Sequence, residues 1–220
     1  QHVQDFIANH LKEDGILYLN YEAMPGSSVI TPLRDIISFH TSGMASDNLI
    51  KAQSGLDYLD FMQSNKAGYF AENIAADQFF NDIKTKDINY VANRILSTSF
   101  QPYFFHQIVQ EMEKIGLSFS GSAICHLNFI DLAVPLEFQT FLKTVTTREQ
   151  FETHGDLIRN QRFRKDLFIK SNKVMSEQEQ IEILSKMIFG VTCLKEEFNS
   201  VAVFGDVELR YDNDIFKRLI

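Results

Sequence analysis

The feature that most constrains this fold is one short apolar segment near the start of the chain. Ile16–Tyr21 is almost entirely apolar, which suits a β-strand buried on both faces. Gln4–Leu11 precedes it with the apolar spacing of an amphipathic helix, and Gly15 in the intervening turn is free to adopt a positive φ. Helix, glycine turn and buried strand are typical of a parallel α/β sheet. Because no second unit of this kind follows, we expect the chain to begin at the end of an α/β domain that it lacks.

Helical patterns dominate after this strand. Thr31-Pro32 is typical of an N-cap followed by proline at the first helical position. Gly116 is predicted to end a helix that begins at Pro102. Short connections join these predicted helices, as in a helical bundle. The five helical segments are Leu33–His40, Asp47–Met62, Lys66–Lys84, Asp87–Ile95 and Pro102–Ile115.

The remainder of the chain mixes short strands with helices. Leu117–Ser120 alternates like an edge strand, and Asn128–Val145 is ambiguous between loop and helix. Two segments, 147–150 and 176–179, have the spacing of a capping box. Val201–Arg210, with Gly205-Asp206 at its centre, is typical of a β-hairpin, and a helix is expected to begin at Asn213. The sequence therefore predicts a mainly α (α+β) fold. It has a bundle-like helical region, a residual α/β segment at the N-terminus and a small hairpin near the C-terminus.

Composition excludes some classes of partner. The formal net charge is -8, and a nucleic-acid or anionic-membrane partner needs a cationic face. No apolar run is long enough to span a bilayer. Cys125 and Cys193 lack a CxxC spacing and fit two buried thiols in a reducing compartment. We therefore expect a cytoplasmic protein with no nucleic-acid or membrane partner.

The sequence contains no recognisable catalytic, cofactor-binding or metal-ligating motif. Its glycines do not form a phosphate- or nucleotide-binding loop, and its six histidines are scattered. Cys125-His126 is better explained structurally, since adjacent side chains diverge on a strand or helix. The basic stretch Arg159–Lys173 suits a patch for phosphate or acidic protein, or a solvated helix face paired with carboxylates. The second interpretation is favoured.

Several segments resemble, in order, one known family. Leu11–Tyr18 looks like a late strand of class I S-adenosylmethionine-dependent methyltransferases. Asn20–Gly26 with Pro32–Arg34 resembles the signature SYNxxPGW…PLR. This signature joins such catalytic domains to the bacterial methyltransferase regulatory domain family. Pro102–Phe104 with Gly116-Leu117 and Phe119 resembles P-x-YF…GL-x-Y; Arg148–Phe151, Asp156, Arg159–Arg164 and Leu167 resemble REQYxDFxRNRxFRxxLL.

The resemblance implies a domain layout and a set of partners. Residues 1–30 would be the tail of a class I methyltransferase domain, 31–175 the helical regulatory domain, and 176–220 the start of a C-terminal module. S-adenosylmethionine would bind the missing N-terminal domain and not this chain. Expected partners are the catalytic domain of the same polypeptide, a protein substrate and a second copy of the chain. The parent would be a bacterial methyltransferase of a group that includes protein-lysine methyltransferases, with this segment inactive alone.

Six residues are the candidate substrate or interdomain contacts. Tyr21, Pro25, Gly26 and Arg34 lie at the junction between the strand and the helices, and Arg162 and Arg164 lie in the later basic motif. Arg34 is expected to pair with a carboxylate across the seam between the domains. These six residues would help to form the acceptor site or the dimer interface.

The chain also departs from the family pattern. Glu22 replaces an asparagine and Ser27 a tryptophan, while Asn93-Arg94 replaces a His-Glu pair. The alternative function is a helical scaffold for protein–protein contacts with no role in methyl transfer. Such a scaffold would expose an apolar patch of several hundred Å², away from residues 1–30.

Overall fold

The computed structural model describes residues 2–97, 100–171, 175–188, 199–204 and 207–210. The described residues divide between two compact units. One lies within Gln1–Leu19, Val109–Val145 and Asp166–Ile220, and the other within Asn20–Ile108 and Thr146–Lys165. The boundaries at residues 30 and 175 remain predictions.

Helices make up most of the described residues, which confirms the predicted mainly α (α+β) fold. The strands are β1 (Ile16–Glu22), β2 (Ser118–Ser122), β3 (Phe163–Ile169), β4 (Val201–Phe204) and β5 (Val207–Arg210). The helices are α1 (His2–His10), α2 (Ile30–His40), α3 (Asn48–Ser64), α4 (Gly68–Glu72), α5 (Ile74–Ile83), α6 (Ile88–Ile95), α7 (Phe105–Glu113), α8 (Ile130–Ala133), α9 (Leu136–Leu142), α10 (Arg148–Arg159) and α11 (Glu177–Lys186).

The first three strands form a sheet in the order β1-β3-β2. Strands β2 and β3 are antiparallel, with Ser118 opposite Ile169 and Ser122 opposite Asp166. Strands β1 and β3 are also antiparallel, because the backbone of Gly15 bonds to Lys170 at one end and that of Ala23 to Arg162 at the other. The sheet is therefore antiparallel, with β1 at one edge.

The prediction that the first strand is buried on both faces is wrong. Ile16 and Tyr18 are 62% and 50% exposed, and the strand's neighbour β3 lies far downstream in the sequence. The basic stretch Arg159–Lys173, predicted as a solvated helix face, in fact contains β3. Its charged residues hid this strand, because Arg164 and Asp166 are buried in it. The predicted edge strand near Leu117 is confirmed as β2.

The main hydrophobic core lies in the unit that contains α2 to α6. Ile30 and Ile37 on α2 and Phe80 on α5 are fully buried, and Leu59 on α3 and Val91 on α6 pack into the same cluster. These positions recur every three to four residues along their helices, so each helix turns one apolar face to the core. The core fixes α2 and α6, which carry two arginines of the candidate site.

Helix ends were predicted unevenly. Asp47, Thr147 and Ser176 cap α3, α10 and α11 through their side chains, and Ser176 forms the full capping box with Glu179. Helix α2, however, begins at Ile30, so Thr31 is not its N-cap. Burial of Ile30 outweighs the missing side-chain cap.

Turns and loops show further differences. The positive φ in the first turn belongs to Asp14, at 58°, and not to Gly15, whereas Gly116 adopts 74° after α7 as predicted. The 66–84 segment is divided at Asn73 into α4 and α5. Within Asn128–Val145 the structure has two short helices, α8 and α9. Cys125 is exposed in a 3₁₀ turn, so its predicted burial is wrong; Cys193 lies outside the described residues.

The predicted hairpin near the C-terminus is confirmed. Strands β4 and β5 are antiparallel, with Val201 opposite Arg210 and Phe204 opposite Val207. The expected turn at Gly205-Asp206 and the helix expected from Asn213 lie outside the described residues. In the described parts of the chain, no helix combines the length and apolar character needed to cross a membrane.

Candidate functional site

Three segments far apart in the sequence meet at the turn that follows β1. The amide of Ala23 donates to the carbonyl of Arg162 at 2.9 Å, and that of Gly26 donates to Gln161 at 3.0 Å. Tyr103 donates its amide to the Glu22 carbonyl at 3.0 Å and accepts from the Met24 amide at 2.9 Å, forming an isolated parallel bridge. These are parts of the same three motifs that resemble the methyltransferase regulatory family. This bridge explains why α7 begins at Phe105 and not at Pro102.

Gly26 allows the closest of these approaches. A Cβ atom at this position would lie 2.3 Å from the Asn160 carbonyl oxygen and 2.7 Å from the Arg162 nitrogen. Only glycine leaves room for the 160–162 backbone here. Pro25 precedes it, half-buried, in a cis peptide with Met24, and Tyr21 is half-buried at the end of β1.

A polar cluster holds the turn against α6. The Ser27 hydroxyl, which is fully buried, lies 2.8 Å from Glu22 Oε2 and 2.9 Å from the Arg162 carbonyl oxygen. The other carboxylate oxygen of Glu22 is ion-paired with the Arg94 guanidinium. Glu22 therefore contacts both Ser27 and Arg94, and these are three of the positions at which the sequence departs from the motifs that it resembles. Sequence reasoning found the departures individually but had no signal that they touch.

The Arg34 side chain binds the C-terminal end of α6. Its guanidinium donates to the carbonyls of Arg94 and Ser97, the second at 2.5 Å, and lies 4.0 Å from the centroid of the Phe100 ring. The Arg94 carbonyl is among those that a helix leaves unpaired at its C-terminus, and Ser97 lies just beyond the C-cap of α6. Burial, followed by the nearby Arg94 charge, lowers the pKa of Arg34. The predicted pairing of Arg34 with a carboxylate of another domain remains a prediction.

Arg164 lies at the centre of a second, more deeply buried cluster. It donates to Asp156 Oδ1 at 2.6 Å and to Glu152 Oε2 at 3.0 Å, and its guanidinium carbon lies 4.2 Å from the Phe105 centroid. Glu152 and Asp156 are each 1% exposed and Arg164 is 4% exposed. The cluster thus joins β3, α10 and the start of α7. Glu152 and Phe105 were not predicted as functional residues.

Two further arginines complete this cluster. Arg159 lies 3.1 Å from Asp156 Oδ1, and Arg148 lies 2.6 Å from Glu152 Oε1. Burial raises the pKa of Asp156 to about 6, against the opposing effect of Arg164 and Arg159. Burial also lowers the pKa of Arg159. The favoured interpretation of the basic stretch, pairing with carboxylates, therefore holds for Arg159 and Arg164, although in a buried site.

Arg162 differs from Arg159 and Arg164 because it is exposed. Its guanidinium carbon lies 5.1 Å from the centroid of the Phe79 ring, within the range of a cation–π contact. Among the described residues it makes no ion pair. Of the six candidate residues, the structure thus brings Gly26 and the Arg162 backbone together, and places the Arg34 and Arg164 side chains in separate networks.

Two cavities lie in the same unit. A polar one of about 380 Å³ is lined by His106, Thr147, Glu149, Gln150, Thr153 and His154. An apolar one of about 270 Å³ lies between α2, α3 and α4 and is lined by Pro32, Leu33, Ile36, Tyr58, Leu59, Met62, Ala67, Tyr69 and Phe70. Neither contains a pattern of side chains that identifies a reaction.

Comparisons with known proteins support the resemblance seen in the sequence. A curated protein of Synechocystis sp., itself uncharacterized, is 27% identical over 219 residues, which is 96% of this chain and 42% of the relative. An uncharacterized protein of Rickettsia prowazekii is 25% identical over 162 residues, covering 72% of this chain and 28% of the relative. The chain therefore spans less than half the length of either relative.

The structure also resembles PKMT2 from Rickettsia typhi. The TM-score is 0.56 with 21% identity, over 79% of this chain and 33% of PKMT2. For PKMT2 in complex with AdoHcy the TM-score is 0.58, again with 21% identity, over 79% of this chain and 34% of PKMT2. This likeness shows a shared fold. Residues 87–170 match the family described as "Predicted methyltransferase regulatory domain", so the family resemblance predicted from the sequence is confirmed for that segment.

Proposed function

We propose that this chain is an accessory region of an S-adenosylmethionine-dependent methyltransferase. In this proposal it helps to form the acceptor-substrate site or a dimer interface and does not transfer methyl groups alone. The observation that carries the proposal is the convergence of the turn Glu22–Ser27 with Tyr103 and Gln161-Arg162. The last two lie inside the matched segment 87–170, and the turn directly follows β1.

The edge position of β1 supports attachment to a catalytic domain. Within the described residues, β3 is the only strand that neighbours β1 in the sheet, and the Tyr103 amide donates to the Glu22 carbonyl at the end of the other edge of β1. Such an edge can be extended by a further strand. We propose that a strand of the catalytic domain pairs here, which would bring the turn after β1 close to that domain.

The cofactor would belong to the catalytic domain. PKMT2, which has the same fold over the compared region, has been solved with AdoHcy. We propose that S-adenosylmethionine serves the parent protein of this chain and that a protein is the methyl acceptor. The parent would act in the cytoplasm of a bacterium. The coding sequence upstream of Gln1 is then expected to encode a strand followed by an acidic-Gly-x-Gly-x-Gly motif.

Calorimetry tests whether the cofactor binds the catalytic domain and not this chain. S-adenosylmethionine is expected to produce binding heat with the full-length protein and none with residues 1–220. Tight, stoichiometric binding to residues 1–220 would refute an accessory role. Methyl transfer by the full-length protein to a mixture of candidate proteins, followed by mass spectrometry of the modified side chains, identifies the acceptor class.

A second candidate function is a protein-contact scaffold, favoured by an exposed apolar surface. In the unit that contains α8 and α9, Phe129, Leu136 and Phe141 are 61%, 77% and 50% exposed, and Phe138 is 43% exposed. Added together, their separate exposures come to on the order of 400 Å² of apolar side chain, the size at which a contiguous patch mediates contacts. If Leu136→Ser with Phe141→Ser abolishes self-association in sedimentation but leaves methyl transfer intact, this surface serves assembly and not catalysis.

A further inference from the structure

The polar cavity of about 380 Å³ is formed by the first turns of α10 and the start of α7. Its volume lies within the range of cavities that hold small molecules. Along α10 the lining residues recur at spacings of three and four, so they share one side of the helix. All the lining side chains are polar, and they are His106, Thr147, Glu149, Gln150, Thr153 and His154. This side of α10 therefore faces water or a polar ligand and not an apolar core.

Two acceptor groups in the cavity have no partner within the described residues. The Thr153 hydroxyl oxygen is buried and makes no hydrogen bond there. The half-buried Glu149 carboxylate has neither a hydrogen bond nor a cation in the part of the chain that the structure describes. Buried polar groups are normally satisfied, so these two groups call for a ligand or for water. Because both are acceptors, the missing partner is a hydrogen-bond donor.

The charges around the cavity favour a cationic donor. Glu149 is the carboxylate of the lining, which includes neither lysine nor arginine. Arg148, the residue before it, is paired with Glu152 at 2.6 Å and is not part of the lining. Glu149 also lies in the first turn of α10, where its charge offsets the positive end of the helix dipole. A cation that carries N–H donors therefore fits this lining better than an anion.

The buried cluster around Arg164 holds both walls of the cavity. Arg164 donates to Glu152 Oε2 at 3.0 Å, and Glu152 directly precedes Thr153 on α10. The same guanidinium lies 4.2 Å from the centroid of the Phe105 ring, and Phe105 directly precedes His106 on α7. The walls are thus positioned before a ligand enters, which lowers the free-energy cost of binding.

We propose that this cavity binds a primary alkylammonium group, with the Glu149 carboxylate as its counter-ion and the Thr153 hydroxyl as a hydrogen-bond acceptor. An ammonium has three N–H donors, which suit the acceptors of the lining. A lysine side chain of a partner protein and a free amine both present this group. The site goes beyond the proposed function and does not depend on methyl transfer.

Titration of the 220-residue chain with n-butylammonium, followed through the imidazole proton signals in NMR, tests the site. His106→Gln and His154→Gln assign the two signals that report on the cavity. Both signals should shift and saturate, with a Kd on the order of 1 mM for a ligand of this size. n-Butanol, which lacks the charge, should bind at least about tenfold more weakly. Shifts that do not saturate, or tighter binding of inorganic phosphate, would overturn the proposal.

Substitutions test the two acceptors separately. Glu149→Gln keeps the shape and removes the charge, so Kd should rise about tenfold. Glu72→Gln, at an exposed carboxylate on α4 in the same unit, is the matched control and should leave Kd unchanged. Thr153→Val should raise Kd about threefold while Tm is unchanged or higher, because the hydroxyl it removes has no partner within the described residues. Equal Kd values for Glu149→Gln and Glu72→Gln would refute the role of Glu149 as counter-ion.

Two further ligands distinguish the sources of the ammonium group. N-acetyl-lysine methylamide presents a lysine side chain as it occurs in a protein, and tighter binding than n-butylammonium would assign the site to a partner's lysine. Tighter binding of cadaverine, a free diamine, would assign it to a small amine. If neither compound competes with n-butylammonium, the cavity is not an ammonium site and the proposal fails.

Discussion

The same compact unit contains two buried clusters of carboxylates and arginines that differ in depth. Arg164 is shared by Glu152 and Asp156, and all three side chains are at most 4% exposed. The Glu22–Arg94 pair is simpler and less buried, with Arg94 19% exposed. The first cluster joins α10 to β3, and the second joins the end of β1 to α6. The deeper cluster therefore shares one cation between two carboxylates, while the shallower one is a single ion pair.

Of these substitutions, the removal of Arg164 should lower the free energy of unfolding most, and it should show most clearly how the two clusters differ. Arg164→Met leaves Glu152 and Asp156 buried with their central cation gone, so the free energy of unfolding should fall by about 3–5 kcal/mol. Arg148→Met is the matched control. It removes a 46%-exposed cation from the same Glu152 and should cost only about 0–1 kcal/mol. Equal losses in urea unfolding would show that the buried cluster does not depend on Arg164.

The deeper cluster should also make the free energy of unfolding depend on pH, through Asp156. The folded-state pKa of Asp156, about 6, lies above its unfolded value, so the folded protein binds the proton more tightly. Stability from this group is therefore present at low pH and is lost as the pH rises through about 6. The loss amounts to about 3 kcal/mol over roughly two pH units.

This contribution is measured as a difference between two proteins. Urea unfolding of the wild type and of Asp156→Asn between pH 4.5 and 7.5 should show a steeper decline with pH in the wild type. Parallel curves would mean that Asp156 titrates normally in the folded state.

Gly26→Ala should distort the turn after β1, although Gly26 belongs to neither cluster of charged residues. The added methyl group meets the Asn160 carbonyl at 2.3 Å, so the 160–162 backbone must move, at about 2 kcal/mol. Gly43→Ala is the control, because a Cβ there meets nothing within 4 Å. Thermal unfolding of both variants compares the sites, and an unchanged Tm for Gly26→Ala would show that the close approach is dispensable.

Arg162→Gln should have the smallest effect on the free energy of unfolding. An exposed cation–π contact with Phe79 contributes about 0.5 kcal/mol. Substituting the exposed Lys143 with Gln serves as the control for loss of a surface cation. If Arg162 contacts an acceptor, as the resemblance implies, its substitution should raise KM for the acceptor in the full-length protein while stability stays nearly unchanged. An unchanged KM would remove Arg162 from the candidate contacts.

Local signals in the sequence predicted much of the helical part of this fold. Asp47, Thr147 and Ser176 cap helices by accepting hydrogen bonds from residues three positions away, and such bonds need no knowledge of the rest of the chain. Gly116 ends α7 for the same reason. The start of α2 at Ile30 could not be predicted in this way, because it depends on burial against α3 and α5.

The candidate site was predictable only in part because its contacts join distant residues. The motifs around Gly26, Tyr103 and Arg162 were each visible, but their convergence depends on β1 pairing with β3. Strand β3 contains Arg164, Lys165 and Asp166, and this charged run concealed its alternation. The carboxylates that pair with Arg164, which are Glu152 and Asp156, lie on the preceding helix α10. No local sequence pattern connects them to Arg164.

The division of the chain into two units has a practical consequence for mapping its activities. The chain passes from one unit to the other after Leu19, Ile108, Val145 and Lys165, and two of these points lie inside β1 and β3. No single cut therefore releases either unit whole. A deletion series would remove parts of both units at once, so a loss of activity would not assign that activity to either unit. Point substitutions and residue-level cross-linking are the methods suited to such an interleaved chain.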